Sequence, residues 1–236
     1  MSFNPDKCEV IRFTNKRKNI INCSYTIHGQ ILNFTKKAKY LGLTLTPNLS
    51  WSEHTNNITK KANSTRGFLQ RNLRNAPEHI KATSYTTFVR PILEYSSTIW
   101  DPYAASQINS IEMVQRKSAR YVLNDWHRQS SVTERLHHLN WPSLQYCRSQ
   151  SKVIMLYRIC HNLVAIPYSA PYFIQPNHQH RTRGHCFRIQ QHSTRIDAYK
   201  HSFFPSVIPL WNSLDSSIVD APTLEVFKER LKKSTF

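Results

Sequence analysis

The side chains best suited to bind a ligand in this chain are basic. The 236 residues include 32 lysines and arginines against 14 aspartates and glutamates, which gives a formal charge of +18. No acidic residue occurs between Arg135 and Ile196, a stretch that contains Arg181 and Arg183. A positive excess of this size attracts polyanions. The composition therefore predicts polyanionic partners.

The carboxylates show no arrangement suited to catalysis with two metal ions. The sequence contains no Asp-Asp and no Asp-x-Asp, and Asp101 and Asp125 stand alone, as residues that cap helices or lie on the surface do. The four glycines are also isolated, so neither a P-loop nor a G-x-G-x-x-G turn is present. We expect no catalytic residue and no cofactor.

Histidine and cysteine form one cluster that could ligate zinc. Its members are His178, His180, His185, Cys186 and His192. Their spacing, H-x-H-x4-H-C-x5-H, matches no common zinc finger. We therefore predict no metal site and keep a metal in this cluster as the alternative. The twelve scattered histidines define no Ser-His-Asp or Cys-His arrangement.

The first 50 residues have the pattern of strands. Leu41, Leu43 and Leu45 alternate with Gly42, Thr44 and Thr46, which predicts one apolar face. The runs 9–14, 23–27 and 31–34 are rich in β-branched and aromatic residues, and the short loop 28–30 is typical of a hairpin. We predict a small antiparallel sheet that keeps an exposed edge, through which the chain could associate with others.

Helical periodicity replaces the strand pattern after Trp51. Ile58, Ala62, Thr65, Leu69 and Leu73 form an apolar stripe, introduced by the S-x-x-E spacing of Ser50 and Glu53. The opposite face is polar and free of acids, and it carries Asn56, Lys60, Asn63, Gln70, Arg71 and Arg74. Amide and basic side chains reach phosphates and 2′-hydroxyls, so this face is predicted to bind nucleic acid.

Further helices are predicted downstream. One follows Asn75 and Glu78, carries Pro77 in its first turn, and is kinked by Pro91. Its predicted buried stripe consists of Tyr85, Phe88, Ile92, Tyr95 and Ile99. The next helix opens at Asp101 and Pro102 and turns Arg116 and Lys117 outward. Others are predicted over 143–162 and 223–233, whereas 166–191 has no clean period.

These patterns predict an α+β chain in three parts. Residues 1–50 form strands, 51–125 form a helical bundle, and 126–236 are helical and then irregular and basic. There is no signal peptide and no apolar run long enough to span a bilayer, and the five cysteines include no C-x-x-C pair. We expect a soluble intracellular protein with reduced thiols and no membrane contact.

A series of short motifs resembles the end of the palm, the thumb and the C-terminal tail of non-LTR, jockey-like retrotransposon reverse transcriptases. In chain order the motifs are 3–13 (FNPDKCEVIRF), 39–43 (KYLGL), 49–54 (LSWSEH), 90–95 (RPILEY) with Trp100, 115–117 (QRK), 182–184 (TRG), 202–205 (SFFP), 210–214 (LWNSL) and 221–228 (APTLEVFK). The resemblance spans nearly the whole chain. It implies that the parent activity is RNA-directed DNA polymerisation.

The same resemblance implies that the catalytic centre lies elsewhere. In this family the palm aspartates hold two Mg²⁺ ions, and they belong upstream of the position that matches Met1. We therefore expect a truncated fragment that does not polymerise, with Mg²⁺ required only by an intact parent. Lys7 resembles the lysine near the leaving pyrophosphate, a place suited to a general acid.

Two more segments carry implied roles in nucleic-acid binding. Tyr40 and Gly42 resemble the primer grip, and an ordinary hairpin strand with a glycine bulge explains these residues equally well. The polar face that follows Ser52 resembles the thumb helix that tracks a duplex. We expect RNA or DNA, duplex or hybrid, to bind without strong sequence preference.

Two other interpretations stay open at this point. The chain could be a free-standing nucleic-acid-binding protein whose strands form a complete small sheet, with or without a metal in the histidine and cysteine cluster. It could also be part of an active polymerase or nuclease that another chain completes.

Overall fold

The structure is a computed structural model that describes residues 3–14, 16, 18, 23–127, 129–166, 185, 187–191 and 193–234. Small sheets precede a series of helices, which confirms the predicted α+β class. The chain divides into two compact units, Met1–Ile58 and Thr59–Phe236. None of the helices in these described ranges is long and apolar enough to cross a membrane. The predicted division at residues 50 and 125 stays a prediction.

The strands all lie in the first unit. They are β1 (Glu9–Ile11), β2 (Thr26–Ile27), β3 (Gln30–Ile31), β4 (Asn33–Thr35), β5 (Ala38–Tyr40) and β6 (Leu43–Leu45). β2 pairs with β3 and β5 with β6 as antiparallel hairpins. β1 pairs with β4 in parallel, a strand orientation that the hairpin pattern did not indicate. Over the described residues the pairing thus yields separate two-stranded sheets rather than one sheet.

Both hairpins close through two residues with positive φ. His28 and Gly29 have φ of 52° and 79°, and Leu41 and Gly42 have φ of 45° and 86°. Two-residue turns of type I′ require this backbone, because its twist matches that of the flanking strands. The expected apolar face is therefore wrong at Leu41, which is 73% exposed in the turn, while Leu43 is buried. Gly42 lies in the same turn and not at a bulge within a strand.

The regular elements that follow the strands are helices. They are α1 (Ser52–Asn72), α2 (Glu78–Ser84), α3 (Arg90–Glu94), α4 (Ala105–Val122), α5 (Val132–His138), α6 (Leu144–Cys160), α7 (Asp197–Lys200), α8 (Phe203–Asn212), α9 (Ser216–Val219) and α10 (Leu224–Lys233). The predicted helices over 143–162 and 223–233 are confirmed as α6 and α10. Thr223 caps α10 as expected, because its hydroxyl accepts the backbone N–H of Val226 at 3.3 Å.

A π-helical turn, Tyr85–Val89, joins α2 to α3 just before Pro91. Proline lacks an N–H and crowds the preceding turn, and a wider turn accommodates both effects. The π turn changes the helical phase, so one row of buried residues recurs at steps of four: Lys81, Tyr85, Val89 and Leu93. Ser84 is buried beside this row. The predicted stripe is therefore wrong at Phe88, Tyr95 and Ile99, which are exposed, and the helix ends at Glu94.

Two predicted helix starts are also wrong. Pro77, and not Asn75, is the N-cap of α2, and no side chain caps this end. Asp101 and Pro102 precede α4 without opening it, because Asp101 pairs with Arg148 and Lys152 of α6, at 2.8 Å and 2.6 Å. That ion pairing replaces the cap or surface role expected for Asp101.

An apolar core cluster of the second unit lies between α6, α8 and α10. Val153, Trp211 and Phe227, one from each helix, are fully buried in it. The Tyr157 ring stacks on Phe227, with centroids 4.2 Å apart, and its hydroxyl donates to the Ala221 carbonyl at 2.7 Å. This cluster anchors α6, which in turn presents Arg148 and Lys152 to Asp101.

Candidate nucleic-acid interface

A cavity of about 540 Å³ lies in the second unit, where the end of α1 meets α2 and the end of α4. Three of the residues predicted to bind nucleic acid, Gln70, Arg71 and Arg74, line it together. Gly67 lies one turn before Arg71, whose Nη1 atom is 3.6 Å from the position that a side-chain Cβ at residue 67 would take. We call this cavity the basic cleft.

Lys81 of α2 forms the opposite wall of the basic cleft. The side chain is 7% exposed, and its Nζ atom lies 5.4 Å from the centre of the Tyr121 ring, a cation–π contact. Within the described ranges, none of the ion pairs involves Lys81, Arg71 or Arg74. No acidic residue lines the cleft. The basic cleft therefore carries three cations without a counter-charge, an arrangement that favours an anionic ligand.

Tyr121 ties the two longest helices around the cleft together. Its hydroxyl donates to the carbonyls of Leu69 and Leu73 at 3.1 Å and 3.2 Å. Leu69 lies in the last turn of α1 and Leu73 follows the end of the helix, where few helical donors remain. Burial raises the pKa of Tyr121, so the hydroxyl stays a donor at neutral pH. The bond fixes the position of Arg71 and Arg74 relative to α4.

Asn124 and Trp126 complete the lining. α4 ends in a Schellman motif, in which Asn124 has φ of 50° and the N–H groups of Asn124 and Asp125 donate to the carbonyls of Tyr121 and Arg120. The Oδ1 atom of Asn124 accepts the indole N–H of Trp126 at 3.3 Å. The chain reversal thus brings an aromatic ring to the cationic surface.

α5 holds the segment that carries Trp126. Arg135, 3% exposed, donates through Nε to Asp125 at 2.8 Å and through Nη2 to the His127 carbonyl at 2.9 Å. The hydrogen bond and charge of Arg135 lower the pKa of Asp125 to about 2. Asp125 therefore anchors this segment. The helix-cap alternative is wrong, because Ser131 caps α5, while the 24% exposed Asp125 side chain keeps a position partly at the surface.

The remaining predicted residues lie outside the basic cleft. Lys60 is exposed on α1, and Asn63 is engaged within that helix, donating to the Thr59 carbonyl at 2.9 Å and accepting from Arg66 at 3.4 Å. Arg66 also donates to Gln70 at 3.1 Å. Arg116 and Lys117 lie on α4 without lining the cleft. Arg181 and Arg183 fall outside the described residues.

The residues with family roles in the first unit are exposed and lie in different elements. Lys7 ends a 3₁₀ turn, Pro5–Lys7. Tyr40, the last residue of β5, is 64% exposed beside the turn residue Gly42. These positions fit a hairpin of ordinary geometry, and the primer-grip role stays a prediction.

Carboxylates in the described part of the chain do not fit a two-Mg²⁺ centre. Asp101 is held between two cations and Asp125 by Arg135. No group of three or more histidines, cysteines, aspartates or glutamates among the described residues could hold a metal. Of the histidine and cysteine cluster, only His185 is described, and its Nε2 atom lies 3.0 Å from the Trp211 carbonyl. His178, His180, Cys186 and His192 fall outside the described residues.

Sequence reasoning missed Lys81, Asn124 and Trp126 as site residues. Lys81 lies one turn before the predicted apolar stripe and is itself charged, and its wall of the cleft forms only through tertiary packing. A signal for α5 was present, because Ser131 and Glu134 have the S-x-x-E spacing and the Ser131 hydroxyl accepts the Glu134 N–H at 3.4 Å. That helix would have pointed to Arg135 and the segment before it.

The comparisons with known proteins agree with the motif resemblance described for the sequence. The chain is 28% identical over 138 residues to the RNA-directed DNA polymerase from mobile element jockey of Drosophila melanogaster, covering 56% of this chain and 15% of that protein. It is 29% identical over 126 residues to the probable RNA-directed DNA polymerase from transposon BS of the same organism, covering 52% and 14%.

These similarities confirm the resemblance to polymerases of jockey-like retrotransposons over about half of the chain. The matched segments span about one seventh of the length of either relative. No protein-family model matches the chain, and no solved structure matches it.

Proposed function

We propose that this chain is a nucleic-acid-binding segment of a retrotransposon reverse transcriptase that does not polymerise by itself. It binds RNA or DNA, as duplex or hybrid, through phosphate contacts and without strong sequence preference. The observation that carries the proposal is the basic cleft, where Arg71, Arg74 and Lys81 lack a counter-charge among the described residues.

The exposed face of α1 extends the cationic surface beyond the cleft. No acidic residue occurs between Glu53 and Glu78, and Lys60 and Arg71 are both exposed. Eleven residues of helix separate these two side chains by about 16 Å, so they can contact different phosphates of one backbone. Phosphate contacts fix position on a nucleic acid without reading its sequence.

Fluorescence anisotropy with a labelled RNA–DNA hybrid tests the proposal. Each neutralised phosphate releases counterions, so about six contacts give a slope of about −5 in a plot of log affinity against log salt. The variant Lys60→Glu/Arg71→Glu/Arg74→Glu should lose most of the binding. Its matched control is Lys200→Glu/Lys232→Glu/Lys233→Glu, which makes the same charge change at exposed positions outside the cleft. Equal losses in both variants would contradict a localised interface.

The absence of polymerisation is tested separately. With Mg²⁺, deoxynucleotides and a primed RNA template, the purified chain should extend no primer, because its fourteen carboxylates include no Asp-Asp or Asp-x-Asp. Primer extension that a single aspartate substitution abolishes would contradict this part of the proposal.

A further inference from the structure

Trp126 is an exposed aromatic ring at the edge of the basic cleft. Its side chain is 57% exposed, while Tyr121, the other ring of the lining, is 6% exposed and already contacts Lys81. No ring stacks on the Trp126 indole in the part of the chain that the structure describes. A large apolar surface is thus open to a ligand beside three cations.

The Trp126 ring is held in place from both sides. Asp125 and His127, its neighbours in the chain, both bond to the buried Arg135. The indole N–H donates to Asn124, which the Schellman motif fixes at the end of α4. A ring that is positioned before binding loses little conformational freedom when a ligand stacks on it.

Beside the phosphate contacts proposed above, the shape and chemistry of the cleft also suit a single unpaired nucleotide. About 540 Å³ lies within the range of small-molecule sites. In a duplex the base faces are covered by their neighbours, whereas an unpaired base presents its face to an aromatic side chain. The adjacent arginines and Lys81 provide donors for its phosphate.

We propose that the basic cleft binds an unpaired nucleotide, with its base stacked on Trp126 and its phosphate held by Arg71, Arg74 and Lys81. The inference rests on the proposed function and adds a substrate class to it: single-stranded nucleic acid, including the overhang of a duplex. The exposed face of α1 binds the base-paired part of the same nucleic acid.

Competition binding with four probes tests this inference on the full chain. Two are a blunt RNA–DNA hybrid and the same hybrid with a five-nucleotide overhang. The other two are five-nucleotide strands of oligo-uridine and of oligo-deoxythymidine, which separate RNA from DNA. The overhang should raise affinity at least about fivefold, the lower end for one stacked base. Trp126→Ala should abolish the gain, so that the hybrid with the overhang and the blunt hybrid bind this variant with equal affinity.

Two further variants control for charge and for exposed aromatic area. Gly67→Leu should reduce the overhang gain with every cation retained, because its side chain enters the cleft, whereas Ser110→Leu on the exposed surface of α4 should not. Phe88→Ala removes another ring that is 57% exposed and should leave the gain intact.

Binding of the blunt hybrid without an overhang gain would overturn the inference and leave the proposed function standing. A gain that survives Trp126→Ala would overturn it as well. No binding to any probe would instead overturn the proposed function.

Discussion

Asp101 accepts hydrogen bonds from two cations that have almost no access to solvent. Arg148 is 0% exposed and Lys152 is 5% exposed, while Asp101 provides one carboxylate for both. The Nη1 and Nη2 atoms of Arg148 are buried and have no hydrogen-bond partner within the described ranges. Since a buried charge is costly without a partner, the position of α6 depends on this one acid.

Asp101→Asn should therefore lower the free energy of unfolding by about 3 kcal/mol, because it leaves two buried cations without a counter-charge. Lys152→Met should change it by less than about 1 kcal/mol, since Asp101 and Arg148 then form a balanced pair. Urea denaturation of both variants measures the difference. A larger effect of Lys152→Met would show that Asp101 is not the shared counter-charge.

The depressed pKa of Asp125 gives a prediction about acid. The pKa is about 2 in the folded chain against an ordinary 3.8, so the stabilisation from Asp125 is complete above about pH 4 and is lost as the pH falls towards 2. An NMR titration of the Asp125 carboxyl carbon should give a midpoint near 2. Arg135→Met should raise that midpoint towards 3.8, and an unchanged midpoint would mean that Arg135 is not the cause.

The π turn between α2 and α3 decides which side chains reach the core. A continuous α-helix would bury Phe88, as its spacing from Tyr85 and Ile92 indicates. The structure instead buries Val89 and Leu93, because the wider turn moves the buried row by one position. The sequence contains the cause, Pro91, but its expected effect was a kink and not a change of phase.

Paired substitutions in this segment distinguish the two arrangements. Phe88→Ala should change the free energy of unfolding by less than about 0.5 kcal/mol, because the ring is 57% exposed. Leu93→Ala should cost about 2–5 kcal/mol, because the side chain is fully buried. Chemical denaturation gives both values. A cost of several kcal/mol for Phe88→Ala would instead support the buried stripe predicted for a continuous α-helix.

Periodic segments were predictable, and positions set by tertiary contacts were not. The face of α1 follows directly from residues spaced by three and four, so Gln70, Arg71 and Arg74 were identified from sequence. Lys81 and Trp126 join them only because α2 and α4 pack against the end of α1. Leu41 shows the same limit in the strands, since strict alternation conceals a two-residue turn.

The first unit has little apolar interior over the described residues from 3 to 50. Only Leu43 and Thr46 are buried in that range, whereas Ile31, Tyr40 and Leu41 are more than 60% exposed. Separate two-stranded sheets are marginal in water. Exposed strands and side chains of this kind favour association with another chain, which we expect to cover this unit.

Hydrogen exchange of the full chain should show this difference in stability. Amides of residues 3–50 should exchange much faster than those of α4 and α6, because local opening there exposes few apolar contacts. Mass spectrometry of peptides from the exchanged protein measures these exchange rates at low protein concentration. A second sample at high concentration tests association, which should slow exchange in residues 3–50. Strong protection of the strands in a monodisperse monomer would contradict the prediction.

The burial of Lys81 also has a consequence for natural selection. A methionine at this position would pack on the Tyr121 ring without a charge to desolvate, so the chain should fold more stably with Lys81→Met than with the native residue. Locally this is a frustrated position, where the side chain that suits the fold differs from the one that suits an anion. A lineage that lost its need for the ligand would be free to drift away from lysine here and would gain stability by doing so.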